Sequence, residues 1–248
     1  MSPIFPMPAS IRKNRSNSRG AGHDDPAPLL MEGRALQKRI LCFGDSNTYG
    51  YIPGGFGRYD ENTRWPMAMA RLLGPEYAVV EEGFNGRTLV FDDPVEGGFK
   101  SGFDYLPPCL MSHNPLDVVI LMLGTNDTKQ RFGMNPEAMG QAMSQVARRA
   151  KAYAVNAEGK PSRVMIVSPA PILEGLADIR DGGSFGHGAP ALSRALAHEY
   201  RVVAKLTRCE YFDAAPFAEV SPVDAIHLTA AGHLRLAEAM AEKVKSLC

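Results

Sequence analysis

The stretch "DVVILMLGTND", residues 117–127, decides how the chain folds. Its apolar run at residues 117–123 has no polar alternation, which is typical of a strand buried on both faces of a parallel sheet. Small and polar residues follow directly, at Gly124, Thr125, Asn126 and Asp127. The sequence therefore predicts an interior strand that ends in a polar loop.

Strand and helix patterns alternate on both sides of this stretch. Predicted strands lie at residues 39–43, 77–81, 117–123, 163–167 and 210–212. Predicted helices lie at residues 65–73, with Thr63 as a candidate cap, at 136–154, at 191–206, and after Thr229, where the apolar stripe is Leu234, Ala237, Met240, Val244 and Leu247. Such alternation forms a parallel sheet with helices on both faces. The predicted fold is α/β, a three-layer sandwich around a five-stranded parallel sheet, without a second domain.

The composition excludes several classes of protein. The chain has 248 residues, and Lys+Arg and Asp+Glu are both 27, so the formal net charge is zero. Without a basic excess, neither a nucleic-acid partner nor a membrane surface is expected, and no apolar run approaches the ~20 residues of a spanning helix. The four cysteines form no CxxC pair, which disfavours a zinc site and a disulfide scaffold. A reducing, cytoplasmic location is the simplest interpretation.

The first 36 residues differ from the rest of the chain. They are rich in Pro, Ser, Gly, Arg and Asn, lack periodicity, and contain no continuous apolar region of a secretory signal. We predict a disordered tail over residues 1–36 and one domain over residues 37–248. Met31 lies just before the organised part, so a start codon assigned too early is an alternative origin of the tail.

Polar residues follow other predicted strands as well. They are "GDSN" at residues 44–47, "GFNGR" at residues 83–87 and, after a loop, "DAIH" at residues 224–227. Right-handed crossovers place the carboxyl ends of all parallel strands at one edge, where ligands of open α/β sheets bind. We therefore expect these segments to converge on one site.

Three of these residues could form a nucleophilic triad. A serine hydroxyl needs a base, which His227 can supply, and an imidazole needs an acceptor that orients it, which Asp224 can supply. The alternatives are a turn serine at position 46, a loop histidine that caps the last helix, and Asp213 in place of Asp224.

An attacked carbonyl also needs donors for its developing oxyanion. The candidates are the backbone N–H groups of Ser46 and Gly86 and the side-chain amide of Asn126. An Asx-turn is the alternative role for Asn126, and backbone geometry alone is the alternative for Gly86.

Further polar residues near these segments are expected to be structural. Asp45 and Asp127 are expected to hold their turns through backbone N–H groups. Arg87 is expected to form a salt bridge within the protein, the alternative being contact with an acidic substrate group. His233 is expected to face solvent or to pack.

Together, "FGDSNTYG", "EEGFNGRT", "GTND" and "DAIH" resemble the four sequence blocks of the SGNH/GDSL hydrolases. The first block usually reads GDSL, and here Asn47 replaces the leucine, a departure expected to affect substrate fit more than chemistry. With the further stretches "RWP", "DDP" and "VSPAP", the resemblance is closer to one branch of this family, the bacterial arylesterase/acetylesterase and acyltransferase branch. The resemblance extends from about Lys38 to the C-terminus.

The resemblance implies a flavodoxin-like fold and a carboxylic ester hydrolase that needs neither metal nor organic cofactor. It implies Ser46 as nucleophile, Asp224 as acid, His227 as base, and Ser46, Gly86 and Asn126 as oxyanion donors. The substrates would be short-chain acetyl or aryl esters, with acyl transfer to alcohols or peroxide and assembly into tetramers or octamers in some members. Alternatives are a thioesterase or lysophospholipase for longer acyl chains, a non-catalytic carbohydrate-binding module, and a phosphate-binding flavodoxin-like protein, which the lack of a phosphate-loop motif disfavours.

The segment at residues 172–190 is too long for an ordinary connection between a strand and a helix. Its five glycines allow motion. We expect it to cover the acyl or alcohol side of the site or to contact another subunit, the alternative being a disordered surface excursion.

Overall fold

The computed structural model describes residues 37–55, 57–179 and 183–248, and the predicted tail over residues 1–36 lies outside them. Five strands form one parallel sheet in the order β2-β1-β3-β4-β5, which confirms the predicted fold class. The strands are β1 (Lys38–Gly44), β2 (Tyr77–Gly83), β3 (Val118–Met122), β4 (Arg163–Ser168) and β5 (Glu210–Asp213).

Six α-helices accompany the sheet in the described part of the chain. They are α1 (Ser46–Tyr49), α2 (Trp65–Leu73), α3 (Gly102–His113), α4 (Pro136–Tyr153), α5 (Ala189–Thr207) and α6 (Ala230–Lys245). Buried residues of α3, α4 and α5 form one core cluster with the sheet, and those of α2 and α6 form another. The strand β1 contributes alternately, with Leu41 and Phe43 in the first cluster and Ile40 and Cys42 in the second. The sheet is therefore the middle of three layers.

The strand register brings several loops to one edge of the sheet. Gly44, the last residue of β1, pairs with Gly83 at the end of β2 and with Met122 at the end of β3. The segments that follow these strands therefore begin level with one another. Gly44 also permits close packing, because a Cβ there would lie 2.8 Å from the Met122 carbonyl oxygen.

Helix α3 was not predicted, because it contains the consecutive prolines Pro107 and Pro108. A proline inside a helix removes the N–H that would bond the carbonyl four residues earlier. For Pro107 that carbonyl belongs to Phe103, and it accepts a hydrogen bond from Arg149 Nη1 of α4 at 2.9 Å. A neighbouring helix thus supplies the donor that the proline lacks.

Two expectations, one about the cap of α2 and one about the apolar stripe of α6, were wrong. The cap of α2 is Arg64 rather than Thr63, and the Trp65 N–H instead donates to Nδ1 of His233 at 3.3 Å. His233 is fully buried in this position, whereas Leu234, expected on the apolar stripe of α6, is 41% exposed. Within the described residues, no helix combines the length and the apolarity needed to cross a membrane.

Candidate active site

Ser46 stands at the turn that connects β1 to α1. Asp45 caps this short helix, since its Oδ1 accepts a hydrogen bond from the Asn47 N–H at 2.9 Å. Gly50 ends the helix with a φ of +85°, a conformation that suits glycine. The tight turn leaves the Ser46 side chain on the wall of a cleft at the sheet edge.

His227 bonds to both Ser46 and Asp224. Its Nε2 lies 2.9 Å from Ser46 Oγ, and its Nδ1 lies 2.8 Å from Asp224 Oδ2. The other carboxylate oxygen of Asp224 accepts from the backbone N–H groups of Ile226, at 3.2 Å, and His227, at 3.0 Å. Ala225 adopts a positive φ of 61°, which closes this turn. The structure therefore joins the three predicted residues in one chain of hydrogen bonds.

The carboxylate of Asp224 is held in its ionised form. Burial by itself would raise its pKa, but hydrogen bonds from the His227 ring and backbone, with the charge of that ring and the Ile226 N–H, outweigh burial and lower the pKa to about 2. An ionised Asp224 accepts a hydrogen bond from the Nδ1–H group of His227, so Nε2 faces Ser46 as an acceptor.

The three predicted oxyanion donors line the same cleft, which has a volume of about 240 Å³. The backbone N–H groups of Ser46 and Gly86 donate to no acceptor within the described part of the chain. Asn126 Nδ2 donates one hydrogen to the Arg87 carbonyl at 3.1 Å, which orients the amide and leaves its second N–H free for another acceptor. Gly86 has a φ of +79°, and a Cβ there would lie 2.8 Å from Glu96 Oε2.

The polar residues expected to be structural are buried and do not line the cleft. Both carboxylate oxygens of Asp127 accept from the Leu89 N–H, at 2.9 and 3.0 Å. Burial raises the pKa of Asp45 to about 6 and that of Asp127 to about 7. Asp213, the alternative to Asp224 as partner of the histidine, accepts instead from Ser168 Oγ at 3.1 Å, and the His227 ring bonds to Asp224.

The expected salt bridge of Arg87 is absent from the described residues. Its Nη1 donates instead to the carbonyls of Gly44, at 2.9 Å, and Glu82. Its guanidinium carbon lies 4.2 Å from the centre of the Phe43 ring, and burial lowers the pKa of the group. Arg87 therefore ties the ends of β1 and β2 together, and it does not line the cleft.

Sequence reasoning missed several residues of the cleft wall. The Tyr51 ring centre lies 4.5 Å from that of His227. Lys129 follows the "GTND" block closely, and its buried Nζ lies 2.6 Å from Glu96 Oε1. Position close behind a polar block that follows a predicted strand was the available signal for Lys129 and for Tyr51, whereas nothing local marks Glu96. From the long segment at residues 172–190, the structure places Ile179, Ser184 and Phe185 in the wall.

One group of metal-ligating side chains occurs among the described residues, outside the cleft. Ligand atoms of Glu82, Cys109 and His113 lie within 4.8 Å of one another. His113 Nε2 already contacts Glu82 Oε1 at 2.9 Å, and burial raises the pKa of the Cys109 thiol to about 12. These conditions oppose formation of a metal-binding thiolate.

Solved structures resemble the chain over most of its length. An aryl esterase from M. smegmatis is 37% identical, with a TM-score of 0.79, and the match covers 85% of this chain and 100% of that one. Est24, a carbohydrate acetylesterase from Sinorhizobium meliloti, is also 37% identical, with a TM-score of 0.79 and coverage of 86% and 100%. A carbohydrate acetylesterase family member from Sinorhizobium meliloti is 30% identical, with a TM-score of 0.78 and coverage of 85% and 99%.

Sequence comparisons give a consistent assignment. No curated protein matches the chain. The family model of the GDSL-like lipase/acylhydrolases matches residues 42–235, a span that includes Ser46, Gly86, Asn126, Asp224 and His227. By this match and by its structural neighbours, the chain belongs to the GDSL-like lipase/acylhydrolase family, in the SGNH hydrolase fold.

Proposed function

We propose that this member of an esterase family hydrolyses short-chain acyl esters, acetyl or aryl esters among them, through an acyl-enzyme. The observation that carries the proposal is the continuous chain of hydrogen bonds from Asp224 through His227 to Ser46. In such an arrangement the imidazole accepts the serine proton while the carboxylate stabilises the imidazolium that forms.

The reaction proceeds in two halves. Ser46 Oγ attacks the ester carbonyl carbon, and its proton moves to His227 Nε2. The carbonyl oxygen becomes an oxyanion that accepts from the Ser46 and Gly86 N–H groups and from Asn126 Nδ2. The carbon–oxygen bond to the alcohol then breaks, and His227 returns the proton to the leaving alcohol. Water then attacks the carbonyl carbon of the acyl-enzyme, with His227 again as base. The bond to Ser46 Oγ breaks, His227 returns the proton to Ser46, and the acid is released.

The decisive variant is Ser46→Ala, which removes the attacking oxygen. We expect it to abolish hydrolysis of p-nitrophenyl acetate and to abolish covalent labelling by a fluorophosphonate, which reacts with activated serines. Ser112→Ala removes an exposed hydroxyl on α3 and serves as the control that retains both. Substantial turnover by Ser46→Ala would refute the assignment, and a wild-type chain that resists labelling would favour a non-catalytic carbohydrate-binding module.

The size of the cleft supports short acyl groups. Its volume of about 240 Å³ is below the usual range for sites of drug-sized ligands. A second cavity of about 460 Å³ adjoins it, and both share Lys129 and Phe185 in their walls. This cavity is the observation that favours the alternative, a thioesterase or lysophospholipase. A series of p-nitrophenyl esters separates the two, since a short-chain esterase loses rate beyond butyryl.

The proposal also includes acyl transfer to acceptors other than water and assembly into an oligomer. Alcohols or peroxide would compete with water for the same acyl-enzyme, because His227 can take a proton from any of them. Gas chromatography of ethyl acetate formed in aqueous ethanol would measure this transfer. Assembly into a tetramer or octamer and a cytoplasmic location stay predictions, and light scattering tests the former.

A further inference from the structure

The side chain of Asn47 connects the serine turn (residues 44–47) to the histidine loop (residues 224–228). Its Oδ1 accepts a hydrogen bond from the Leu228 N–H at 3.0 Å, and its Nδ2 donates to the Ile226 carbonyl at 3.3 Å. Ile226 and Leu228 are the two neighbours of His227 in the chain. One amide group therefore holds the backbone on both sides of the base.

Both ends of this connection are buried, and the serine end is also held within its own turn. The Asn47 N–H is bonded by Asp45 Oδ1 at 2.9 Å, within the turn that carries Ser46. Asn47, Ile226 and Leu228 are all at least nine-tenths buried, so water does not replace these bonds. The side chain thus links the attacking hydroxyl and its base over a path of few bonds.

Besides the two Asn47 bonds, the histidine loop is joined to the segment after β1 by the His227–Ser46 bond and by the Gly54 N–H, which donates to Asp224 Oδ2 at 3.2 Å. Its other backbone bonds run to its own segment and to the segment after β4, from Ser221 N to the His227 carbonyl and from Leu173 N to the Ala225 carbonyl. Ala225 also holds a positive φ of 61°, which is unfavourable for alanine and persists only where the surroundings impose it.

The position corresponds to the leucine of the usual GDSL block, and a leucine has no polar atom to make either bond. The sequence suggested that this departure affects substrate fit. In the structure, Asn47 does not line the cleft, and both polar atoms of its side chain are directed to the histidine loop. The departure therefore concerns the base rather than the substrate.

We propose that Asn47 is a positioning residue that sets the 2.9 Å separation of Ser46 Oγ and His227 Nε2 through the backbone of the histidine loop. The proposal rests on the proposed function, since it assigns His227 as the base. Asn47 touches neither the cleft nor the reacting atoms, so its loss affects the chemical step and not the binding of the ester.

The test compares Asn47→Leu, which removes both bonds, with Asn47→Asp, which keeps the acceptor for Leu228 N–H and loses the donor to Ile226. Displacing a catalytic group by ~1 Å costs about 100-fold in rate. We expect Asn47→Leu to lower kcat for p-nitrophenyl acetate by about 10- to 100-fold with KM within about twofold of wild type. The kcat of Asn47→Asp should lie between those of the wild type and Asn47→Leu. Its pH profile of kcat should also shift, because a carboxylate then lies near the imidazole.

Fluorophosphonate labelling distinguishes a positioning role of Asn47 from a merely structural one. The final extent of fluorophosphonate labelling reports the folded fraction, and its rate reports how well Ser46 is activated. We expect Asn47→Leu to label to completion at a reduced rate. Thr229→Ala is the matched control, because it removes the α6 cap bond to Gly232 N, 2.9 Å long, two residues beyond His227. It should lower the melting temperature while kcat stays at the wild-type value.

The outcomes distinguish the two proposals. If Ser46→Ala is inactive and Asn47→Leu keeps the wild-type kcat, or loses activity only in proportion to its labelled fraction, the role of Asn47 is refuted while the esterase assignment stands. If Asn47→Leu does not fold, the Asn47→Asp variant decides by the same criteria. If Ser46→Ala keeps its activity, the proposed function fails and the role of Asn47 fails with it.

Discussion

His227 shows how strongly a single residue depends on distant partners. Its ring bonds to Asp224, three positions earlier, and to Ser46, which is 181 positions away in the chain. The Tyr51 ring packs against the imidazole, and Asn47 bonds the backbone on either side. The imidazole is therefore fixed before any substrate arrives, which is the condition for efficient proton transfer.

Asn126 gives a quantitative prediction at this scale. Removal of one oxyanion donor typically costs about 10²–10³ in kcat. We expect that loss for Asn126→Ala with p-nitrophenyl acetate, with a much smaller change in KM, because the donor acts on charge that develops in the transition state. Steady-state kinetics measures both constants.

Asn135→Ala is the control for this variant, since it removes another asparagine side chain, the α4 cap that bonds Ala138 N at 2.8 Å. It should weaken folding and leave kcat unchanged. A loss in kcat of less than about threefold for Asn126→Ala would contradict its assignment as an oxyanion donor, because such donors typically contribute far more.

Helix α3 shows how an element can form against its local preference. Two consecutive prolines interrupt its internal bonding, and the carbonyl that Pro107 leaves free is bonded by Arg149 of α4. The guanidinium carbon of Arg149 also lies 3.4 Å from the centre of the Phe103 ring. Packing between two helices thus replaces a bond that one helix lacks.

The prediction at this scale is that Arg149→Ala destabilises the protein by about 1.5–3 kcal/mol, the range for a lost hydrogen bond to a charged group. The physical reason is that the Phe103 carbonyl loses its donor. Urea unfolding followed by circular dichroism measures the change. The neighbouring Arg148 is exposed, so Arg148→Ala should change stability by less than about 0.5 kcal/mol. Equal effects of the two substitutions would contradict this account of α3.

Among the described residues, three carboxyl groups that are at least partly buried, Asp224, Asp45 and Asp127, link folding to pH through shifted pKa values. The pKa of Asp224 is lowered to about 2, so its contribution to stability is complete above about pH 4 and is lost as the pH falls through 2. The pKa values of Asp45 and Asp127 are raised to about 6 and about 7, so the folded state favours their protonated forms. Both groups therefore lower the free energy of unfolding as the pH rises from about 4 to about 7.

Asp127→Asn isolates part of this dependence, because the amide cannot ionise and its oxygen can still accept from Leu89 N. One such group changes the free energy of unfolding by at most about 1.4 kcal/mol per pH unit. We expect the wild-type unfolding free energy to fall between pH 4 and pH 7 and the variant to fall less steeply, as measured by urea unfolding at each pH. The exposed Asp104→Asn is the control, and a variant slope equal to that of the wild type would contradict the prediction.

Much of the architecture follows from local patterns. The five strands, their parallel direction, and the helices α2, α4, α5 and α6 were predictable, because apolar periodicity and strand–helix alternation are local properties. Five of the residues that line the cleft, Ser46, Gly86, Asn126, Asp224 and His227, were identified from their positions after strands, since parallel strands direct those segments to one edge.

The sequence by itself determined which strands form, where they end, and which polar groups meet there. Only the tertiary structure decided that α3 forms despite Pro107, that His233 is buried under Trp65, and that Asn47 bonds the histidine loop rather than the substrate. Each of these outcomes depends on a hydrogen bond between groups far apart in the chain. Such a bond is set by packing in three dimensions, and no local pattern of residues encodes it.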